Sequence, residues 1–218
     1  AWRKDTDEAQ RFLRAPATTR DGVRVEIGLN LGSVSTQALE ASHATDFVGL
    51  LRTEFLYLEA SHMPTEEEQY TAYKKVLLEY APRPVTVRTL DIGGDKTLPY
   101  FELPKEENPF LGLRALRLCF AHPHLLRTQF RAALRAAAYG SLWLMLPMVS
   151  GVEDFCRAKQ MLEQTRAELD AQGAGPLGDV KLGVMIETPA MVLMAKEIAR
   201  RADFASIGTN DLCQYLTA

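Results

Sequence analysis

The sequence predicts an all-parallel α/β fold in which short strands alternate with helices. Apolar runs of strand length begin near residues 24, 47, 84, 142, 181 and 203, and helical segments separate them. No two of these runs are joined by a tight hairpin turn, so we expect the strands to pair in parallel. The 218 residues are 47% hydrophobic and 24% charged, which is typical of a globular chain with a sizeable core.

The N-terminal segment is predicted to be a linker helix and an entry turn that together cover residues 1–20. Its helix, Ala1–Ala15, carries charges on most faces and is stopped by Pro16, which favours a connector over a core element. Val23–Leu29 alternates toward Asn30 and predicts the first strand, with a turn before it.

The middle of the chain follows the same strand and helix alternation. Pro64, Thr65 and Glu66 form a helix start signal. Two glycines after the third strand permit a tight loop. The predicted elements are a short helix Thr36–His43, strand Phe47–Leu51, helix Pro64–Tyr80, strand Val85–Val87, helix Pro123–Tyr139, strand Leu142–Leu146 and helix Val152–Ala171.

The last segment, Lys181–Tyr215, is predicted to form a strand, a helix and a second strand, and an acidic residue follows each strand. Its strands are Leu182–Ile186 and Phe204–Ile207, and Thr188 and Pro189 resemble an N-cap and first helical residue of a helix over Met191–Ala199. We expect the second of these strands, Phe204–Ile207, to be buried.

Glu187 and Asp211 follow these two strands, one strand-helix-strand repeat apart. Adjacent strands lie roughly 5 Å apart, so the two carboxylates could share a small hard cation such as Mg²⁺. Alternatively, Glu187 caps the next helix and Asp211 lies in a solvated turn. The polar run Gly208-Thr209-Asn210-Asp211 favours the metal, because its N–H groups suit a phosphate beside the ion.

Arg52 and Arg88 each follow an apolar strand and are expected at the same rim as the two acids. Either arginine alone would usually be a salt-bridge residue, but together with the acids they indicate a small dianionic or trianionic substrate held with a divalent metal. Active sites of (β/α)₈ barrels lie at this rim. Six strands, however, are two fewer than a closed barrel needs, so we expect a barrel truncated after about six strands.

Composition excludes several other classes of protein. A net charge of −3 and the lack of a Lys/Arg block argue against nucleic-acid binding. No apolar run approaches 18 residues, so membrane insertion is not expected. Cys119, Cys156 and Cys213 have no metal-site spacing and an odd count, which favours a reducing cytoplasm over a disulfide framework.

Five segments carry a resemblance to a known family. They are GLLRTEFLYLE (49–59), VRTLDIGGDKTLPY (87–100), NPFLGLRALR (108–117), GVMIETPA (183–190) and SIGTNDLCQY (206–215). In this order, and over nearly the whole chain from about Pro16, they resemble the phosphoenolpyruvate-binding C-terminal domain of Enzyme I of the bacterial sugar phosphotransferase system.

The resemblance implies a TIM (β/α)₈ barrel of the phosphoenolpyruvate-utilising type over residues 21–218, lacking its last two strand-helix units. It implies a homodimer that transfers a phosphoryl group from phosphoenolpyruvate to a histidine of an N-terminal domain, and then to the histidine phosphocarrier protein for sugar uptake. By matching position, the substrate would be bound by Arg52, Arg88, Asn210, Asp211 and Arg114, and Mg²⁺ by Glu187 and Asp211.

The sequence departs from the family pattern at Cys213, where a threonine is usual; we expect this cysteine to be buried and inert. The resemblance places the proton-donating cysteine after Ala218 and the accepting histidine before Ala1, so these residues alone are not expected to catalyse the transfer. His43, His62, His122 and His124 match no part of the acceptor motif.

Two alternatives remain open at this point. The barrel could belong to a relative of pyruvate phosphate dikinase or phosphoenolpyruvate synthase, although DIGGDKTLPY fits Enzyme I better. It could also be a phosphoenolpyruvate-sensing dimerisation domain of a multidomain phosphotransferase protein.

Overall fold

A computed structural model describes residues 15–35, 45–94 and 98–217. The predicted helices over 1–15 and 36–43 therefore fall outside the described residues, except for Ala15. Two short strands, β1 (Ala17–Thr18) and β2 (Arg24–Val25), form an antiparallel pair. Six further strands form one parallel sheet in chain order: β3 (Gly28–Leu31), β4 (Phe47–Arg52), β5 (Val85–Arg88), β6 (Leu142–Leu146), β7 (Val180–Ile186) and β8 (Ala205–Ile207).

The antiparallel pair corrects two sequence predictions, namely that every strand pairs in parallel and that Val23–Leu29 is one strand. Asp46 explains the break. Its carboxylate accepts hydrogen bonds from the Ile27 N–H and the Arg24 guanidinium, both at 2.8 Å, and its N–H donates to the Ile27 carbonyl. This contact holds the chain in place between β2 and β3, so only residues from Gly28 onward join the parallel sheet.

The helices follow the predicted order closely. Thr65 and Glu68 form a reciprocal capping box at the start of the second helix, and Thr188 caps the sixth through the Met191 N–H. The predicted helix over Met191–Ala199 is instead two short helices that meet at Met194. The helices are α1 (Glu54–Leu58), α2 (Glu66–Tyr80), α3 (Leu116–Ala121), α4 (Pro123–Ala136, extended by a 3₁₀ turn Ala137–Tyr139), α5 (Val152–Ala171), α6 (Pro189–Leu193), α7 (Ala195–Ile198) and α8 (Thr209–Thr217).

The main core lies between the sheet and its helices. Strand side chains alternate between faces, so in β5 Val85 and Val87 pack toward the helices while Thr86 and Arg88 line the opposite, concave face. A second, small apolar cluster lies on that face, formed by Leu50, Met145 and Met185 with Phe204 packed against it.

The sheet is curled. This follows from its two outer strands among the described residues, β3 and β8, since residues of both line the same cavity. The architecture is therefore the predicted α/β fold, a parallel half-barrel that corresponds to part of a TIM-type barrel. Strand β8 corrects one expectation: it is largely exposed, with Ile207 67% accessible, because it pairs with β7 alone. Across the described ranges, none of the helices has the length and apolar character needed to cross a membrane.

Candidate active site

A cavity of about 540 Å³ opens at the carboxyl ends of the parallel strands. Its floor contains the apolar cluster of Leu50, Met145 and Met185. Its polar wall combines side chains from four strands, from the residue that follows β7 and from the start of α8: Asn30, Arg52, Thr86, Arg88, Glu187, Ser206, Thr209, Asn210 and Asp211. Charged groups above an apolar floor are suited to binding a small anion.

Arg52 and Arg88 are register partners on β4 and β5, so their side chains leave neighbouring strands side by side. Their surroundings differ. Arg52 is exposed, and the described residues give it no hydrogen bond or ion pair. Arg88 is 7% exposed and lies 2.7 Å from Glu54 and 3.2 Å from Asp91. The first guanidinium is thus available to a ligand, whereas the second is fixed by two carboxylates.

Arg114 reaches the site from the segment before α3. The N–H of Ala115 donates to the Ile92 carbonyl, which ties this segment to the loop after β5. Gly93 makes the approach possible, because a Cβ there would lie 2.6 Å from the Leu113 carbonyl oxygen, and its φ of +113° is one that glycine tolerates. The Arg114 guanidinium is 7% exposed and donates to both Asp91 and Asp211.

Burial acts to lower the pKa of the Arg114 guanidinium, but the hydrogen bonds and charges of Asp91 and Asp211 outweigh burial and raise it. Arg114 therefore stays charged. It joins Asp211, in the first turn of α8, to Asp91 in the loop after β5.

Glu187 follows β7 and is 1% exposed. Its Oε1 accepts a 2.7 Å hydrogen bond from the Met148 N–H, while the described residues provide no hydrogen-bond partner for its Oε2. Burial raises the pKa of Glu187 to about 7, and the nearby charges of Asp91 and Asp211 act in the same direction. A buried, unpartnered carboxylate oxygen at a cavity wall is what a cation ligand requires.

Two backbone features fix this carboxylate. Met148 adopts a left-handed conformation, φ 53°, which costs about 1 to 2 kcal/mol for a residue with a side chain and which accompanies the N–H contact to Glu187. Gly208 packs directly against the carboxylate, since a Cβ there would lie 2.6 Å from Glu187 Oε2.

Asn210 and Asp211 lie in the first turn of α8, not directly at a strand end as the sequence predicts. Asp211 Oδ1 accepts a 2.8 Å hydrogen bond from Arg114. Thr209, Asn210 and Asp211 all line the cavity. The first N–H groups of a helix lack intrahelical acceptors, so this turn offers donors to an anion.

The donor set fits a divalent cation that shares its ligands with a substrate. Over residues 15–35, 45–94 and 98–217, no group of three or more His, Cys, Asp and Glu side chains is placed to hold a metal. Glu187 and Asp211 do line one cavity and interact electrostatically. Mg²⁺ is commonly bound by one or two carboxylates, with waters and substrate oxygens as its other ligands.

The cavity brings together Arg52, Arg88, Glu187, Asn210 and Asp211, as the sequence predicts, while Arg114 joins them through Asp211. The ligand and metal roles of these residues remain predictions. Sequence reasoning missed three contributors, Glu54, Asp91 and Met148, and it included Gly208 only as part of the polar run and not as a contact of Glu187. Asp91, an acid three residues after Arg88, is the one with a usable sequence signal.

Cys213 is exposed on α8, which makes the expectation of a buried cysteine wrong. The reason is the position of α8, which has no buried residue. Among the described histidines, none lines the cavity.

Comparison with known proteins agrees with this geometry. Residues 6–218 match the family model described as PEP-utilising enzyme, PEP-binding domain. Proteins named phosphoenolpyruvate-protein phosphotransferase are similar: those of Listeria innocua and Listeria monocytogenes share 49% and 51% identity over 97% of this chain, and that of Bacillus subtilis 45% over 97%. The chain spans 37% of the length of each. This chain thus belongs to the family of phosphoenolpyruvate-binding domains of phosphoenolpyruvate-utilising enzymes.

Proposed function

We propose that the chain is the phosphoenolpyruvate- and Mg²⁺-binding part of a phosphoenolpyruvate–protein phosphotransferase, Enzyme I. In this proposal it donates the phosphoryl group to a histidine of an N-terminal domain, which passes it to the histidine phosphocarrier protein for sugar uptake. The names of the three relatives favour this activity over that of a dikinase or a synthase. The free state of all three cysteines fits the proposed cytoplasmic location. A homodimer is part of the proposal by resemblance alone.

One observation carries the proposal. A ligand-accessible guanidinium, Arg52, lies beside an immobilised one, Arg88, in the same cavity as the unpartnered oxygen of Glu187. A compact substrate fits these three groups if it has two anionic ends and oxygens that can coordinate a divalent cation. Phosphoenolpyruvate, with a carboxylate and a phosphate, has that chemistry.

The charge of the site supports a metal requirement. Arg52, Arg88 and Arg114 carry three positive charges, and Glu54, Asp91, Glu187 and Asp211 carry four negative charges when ionised. These described side chains thus have a net charge of −1, which opposes a dianion or trianion. A divalent cation reverses that sign.

Each residue then has a definite task. Arg52 binds one anionic end of the substrate in two-pronged fashion, Arg88 fixes its position from the neighbouring strand, and the N–H groups at the start of α8 donate to phosphate oxygens. Glu187 and Asp211 hold Mg²⁺, which when bound neutralises charge on the phosphate. Phosphoryl transfer depends mainly on such positioning and charge stabilisation.

The proposal is tested by calorimetric titration of phosphoenolpyruvate into the chain with and without Mg²⁺. We expect binding that requires the metal. Arg88→Lys should lose at least about tenfold in affinity, and in kcat/KM in the full-length protein, about 1.4 kcal/mol, because lysine cannot reproduce the paired guanidinium contacts.

Arg127→Lys is the matched control, since Arg127 forms an exposed ion pair with Glu168 away from the cavity. It should bind as the wild type does. Wild-type affinity in Arg88→Lys, or no metal-dependent binding in the wild type, contradicts the proposal.

A further inference from the structure

We propose that Asp91 is a positioning residue that holds Arg88 and Arg114 in their working geometry and limits Arg114 to one oxygen of Asp211, so that the other oxygen stays available to the cation. This inference rests on the proposed function of the cavity. Asp91 does not line the cavity, so it acts through the two arginines and not on the substrate.

The contacts of Asp91 are those of a junction between the two arginines. Its side chain is 1% exposed. Arg114 donates to it in two-pronged fashion, Nε to Oδ1 at 2.9 Å and Nη2 to Oδ2 at 3.2 Å. Arg88 Nη1 lies 3.2 Å from Oδ2. One buried carboxylate therefore orients two buried guanidinium groups, and charged hydrogen bonds of this kind are geometrically specific.

The Asp91 backbone is itself fixed. Its N–H donates to Glu54 Oε1 at 3.2 Å, the same oxygen that accepts from Arg88 at 2.7 Å. The N–H of the preceding residue, Leu90, donates to the buried side chain of Gln129 at 2.8 Å. The carboxylate of Asp91 is thus held by buried hydrogen bonds on its own loop and cannot easily follow a moving arginine.

These contacts form a chain of alternating charge: Glu54, Arg88, Asp91, Arg114, Asp211. This series of ion pairs joins Arg88, a proposed substrate-binding residue, to Asp211, a proposed metal ligand. Without the carboxylate of Asp91, Asp211 is the remaining acid partner of Arg114 among the described residues, so the guanidinium would be free to engage both oxygens of Asp211 and oppose cation binding. The site would also lose one negative charge, which weakens cation binding in the same direction.

Asp91→Asn separates this role from a merely structural one. We expect the dissociation constant for Mn²⁺, followed by electron paramagnetic resonance as a probe of the Mg²⁺ site, to rise about tenfold without substrate. In the full-length protein we expect kcat per folded molecule to fall about tenfold while KM for phosphoenolpyruvate changes less than threefold, because lost positioning and reduced anion repulsion offset each other.

Asp91→Glu separates position from charge. It keeps the negative charge but displaces the carboxylate by one methylene, so kcat should fall while the Mn²⁺ dissociation constant stays within threefold of the wild type. Glu66→Gln is the matched control, because Glu66 also pairs with two arginines, Arg131 and Arg135, but lies between α2 and α4 outside the cavity. It should alter neither Mn²⁺ binding nor kcat.

Unchanged Mn²⁺ affinity and unchanged kcat in folded Asp91→Asn would overturn the inference. So would failure of both Asp91 variants to fold, since Asp91 would then be a stability residue. If the wild type itself binds no phosphoenolpyruvate in the presence of Mg²⁺, the proposed function fails instead, and the two failures are thereby distinguished.

Discussion

At Glu187, burial favours the protonated carboxyl group, whereas the proposed metal binding needs the ionised carboxylate. Its folded-state pKa of about 7 lies above its ordinary value of 4.5 because the group is buried and faces other acids. A raised folded-state pKa means that the protonated form stabilises the fold. That contribution is fully present below pH 4.5 and is lost as the pH rises through about 7.

We therefore expect Glu187→Gln to become more stable relative to the wild type as the pH rises, in the absence of divalent metal. The pKa difference corresponds to about 2 to 3 kcal/mol between pH 4.5 and 8. Urea unfolding of both proteins at several pH values measures it, and a constant difference would contradict the assigned cause. At pH 8, Mg²⁺ should stabilise the wild type more than the variant.

Gly208 leads to a second prediction at this scale. A methyl group at this position would overlap Glu187 Oε2 and the Met185 side chain, so Gly208→Ala should cost about 1 to 3 kcal/mol of folding free energy and weaken metal binding at least tenfold. Gly32→Ala is the control, since nothing lies within 4 Å of a Cβ there. Thermal unfolding and Mn²⁺ titration test both variants, and equal behaviour would show that the Glu187 carboxylate moves aside freely.

The site residues that sequence reasoning found share one property: each directly follows a recognisable apolar run or lies in a conspicuous polar run. Arg52, Arg88 and Glu187 are of this kind. Met148 contributes through a backbone conformation, and Gly208 through the absence of a side chain. Neither contribution leaves a trace in charge or periodicity: the polar run that contains Gly208 is visible in the sequence, but the close contact of Gly208 with Glu187 is not.

Among the elements, α8 is joined to the rest of the site by two side chains, Asp211 in its first turn and Tyr215 further along. The Tyr215 hydroxyl donates to the Phe110 carbonyl at 2.6 Å and accepts from Arg114 Nη1 at 3.2 Å. No residue of α8 is buried, so polar contacts of this kind, and not apolar packing, hold the helix that carries Asn210 and Asp211. Tyr215 therefore connects the segment before α3 to the second half of α8.

Tyr215→Phe should remove these bonds while keeping the ring. We expect a loss of about 1 kcal/mol and faster amide hydrogen exchange in residues 108–113 and in α8. Tyr139→Phe is the comparison variant, because the Tyr139 hydroxyl accepts from Tyr70 on a distant surface. Equal exchange in the two variants would mean that Tyr215 does not fasten the helix.

Element prediction succeeded where local signals and packing agree. The bounds of β6 and α5 match the predicted ones, because an apolar run and a long amphipathic segment persist without interruption. The pair β1 and β2 was missed because its end depends on Asp46, which lies some twenty residues further along the chain. The exposure of β8 was missed because apolar composition does not reveal which neighbours a strand has.

On the scale of the whole molecule, the curled parallel sheet is what assembles the site. Arg52 and Asp211 are distant in sequence, yet they line one cavity because every strand of the sheet presents its carboxyl end to the same rim. The sequence could predict this convergence from strand order alone. The sequence could not predict the buried series of ion pairs from Glu54 to Asp211. That series depends on how the loop after β5 packs against the segment that carries Arg114.

The unequal burial of Arg52 and Arg88 also determines how ionic strength acts on the protein. Screening over a Debye length of about 8 Å at physiological salt weakens an exposed charge far more than a buried one. Raising NaCl from about 0.05 to about 0.5 M should therefore weaken phosphoenolpyruvate binding several-fold, mainly through Arg52. In calorimetric titrations, Arg52→Gln should lose most of this salt dependence and Arg88→Gln should keep it, so that ionic strength would adjust substrate affinity through a single guanidinium.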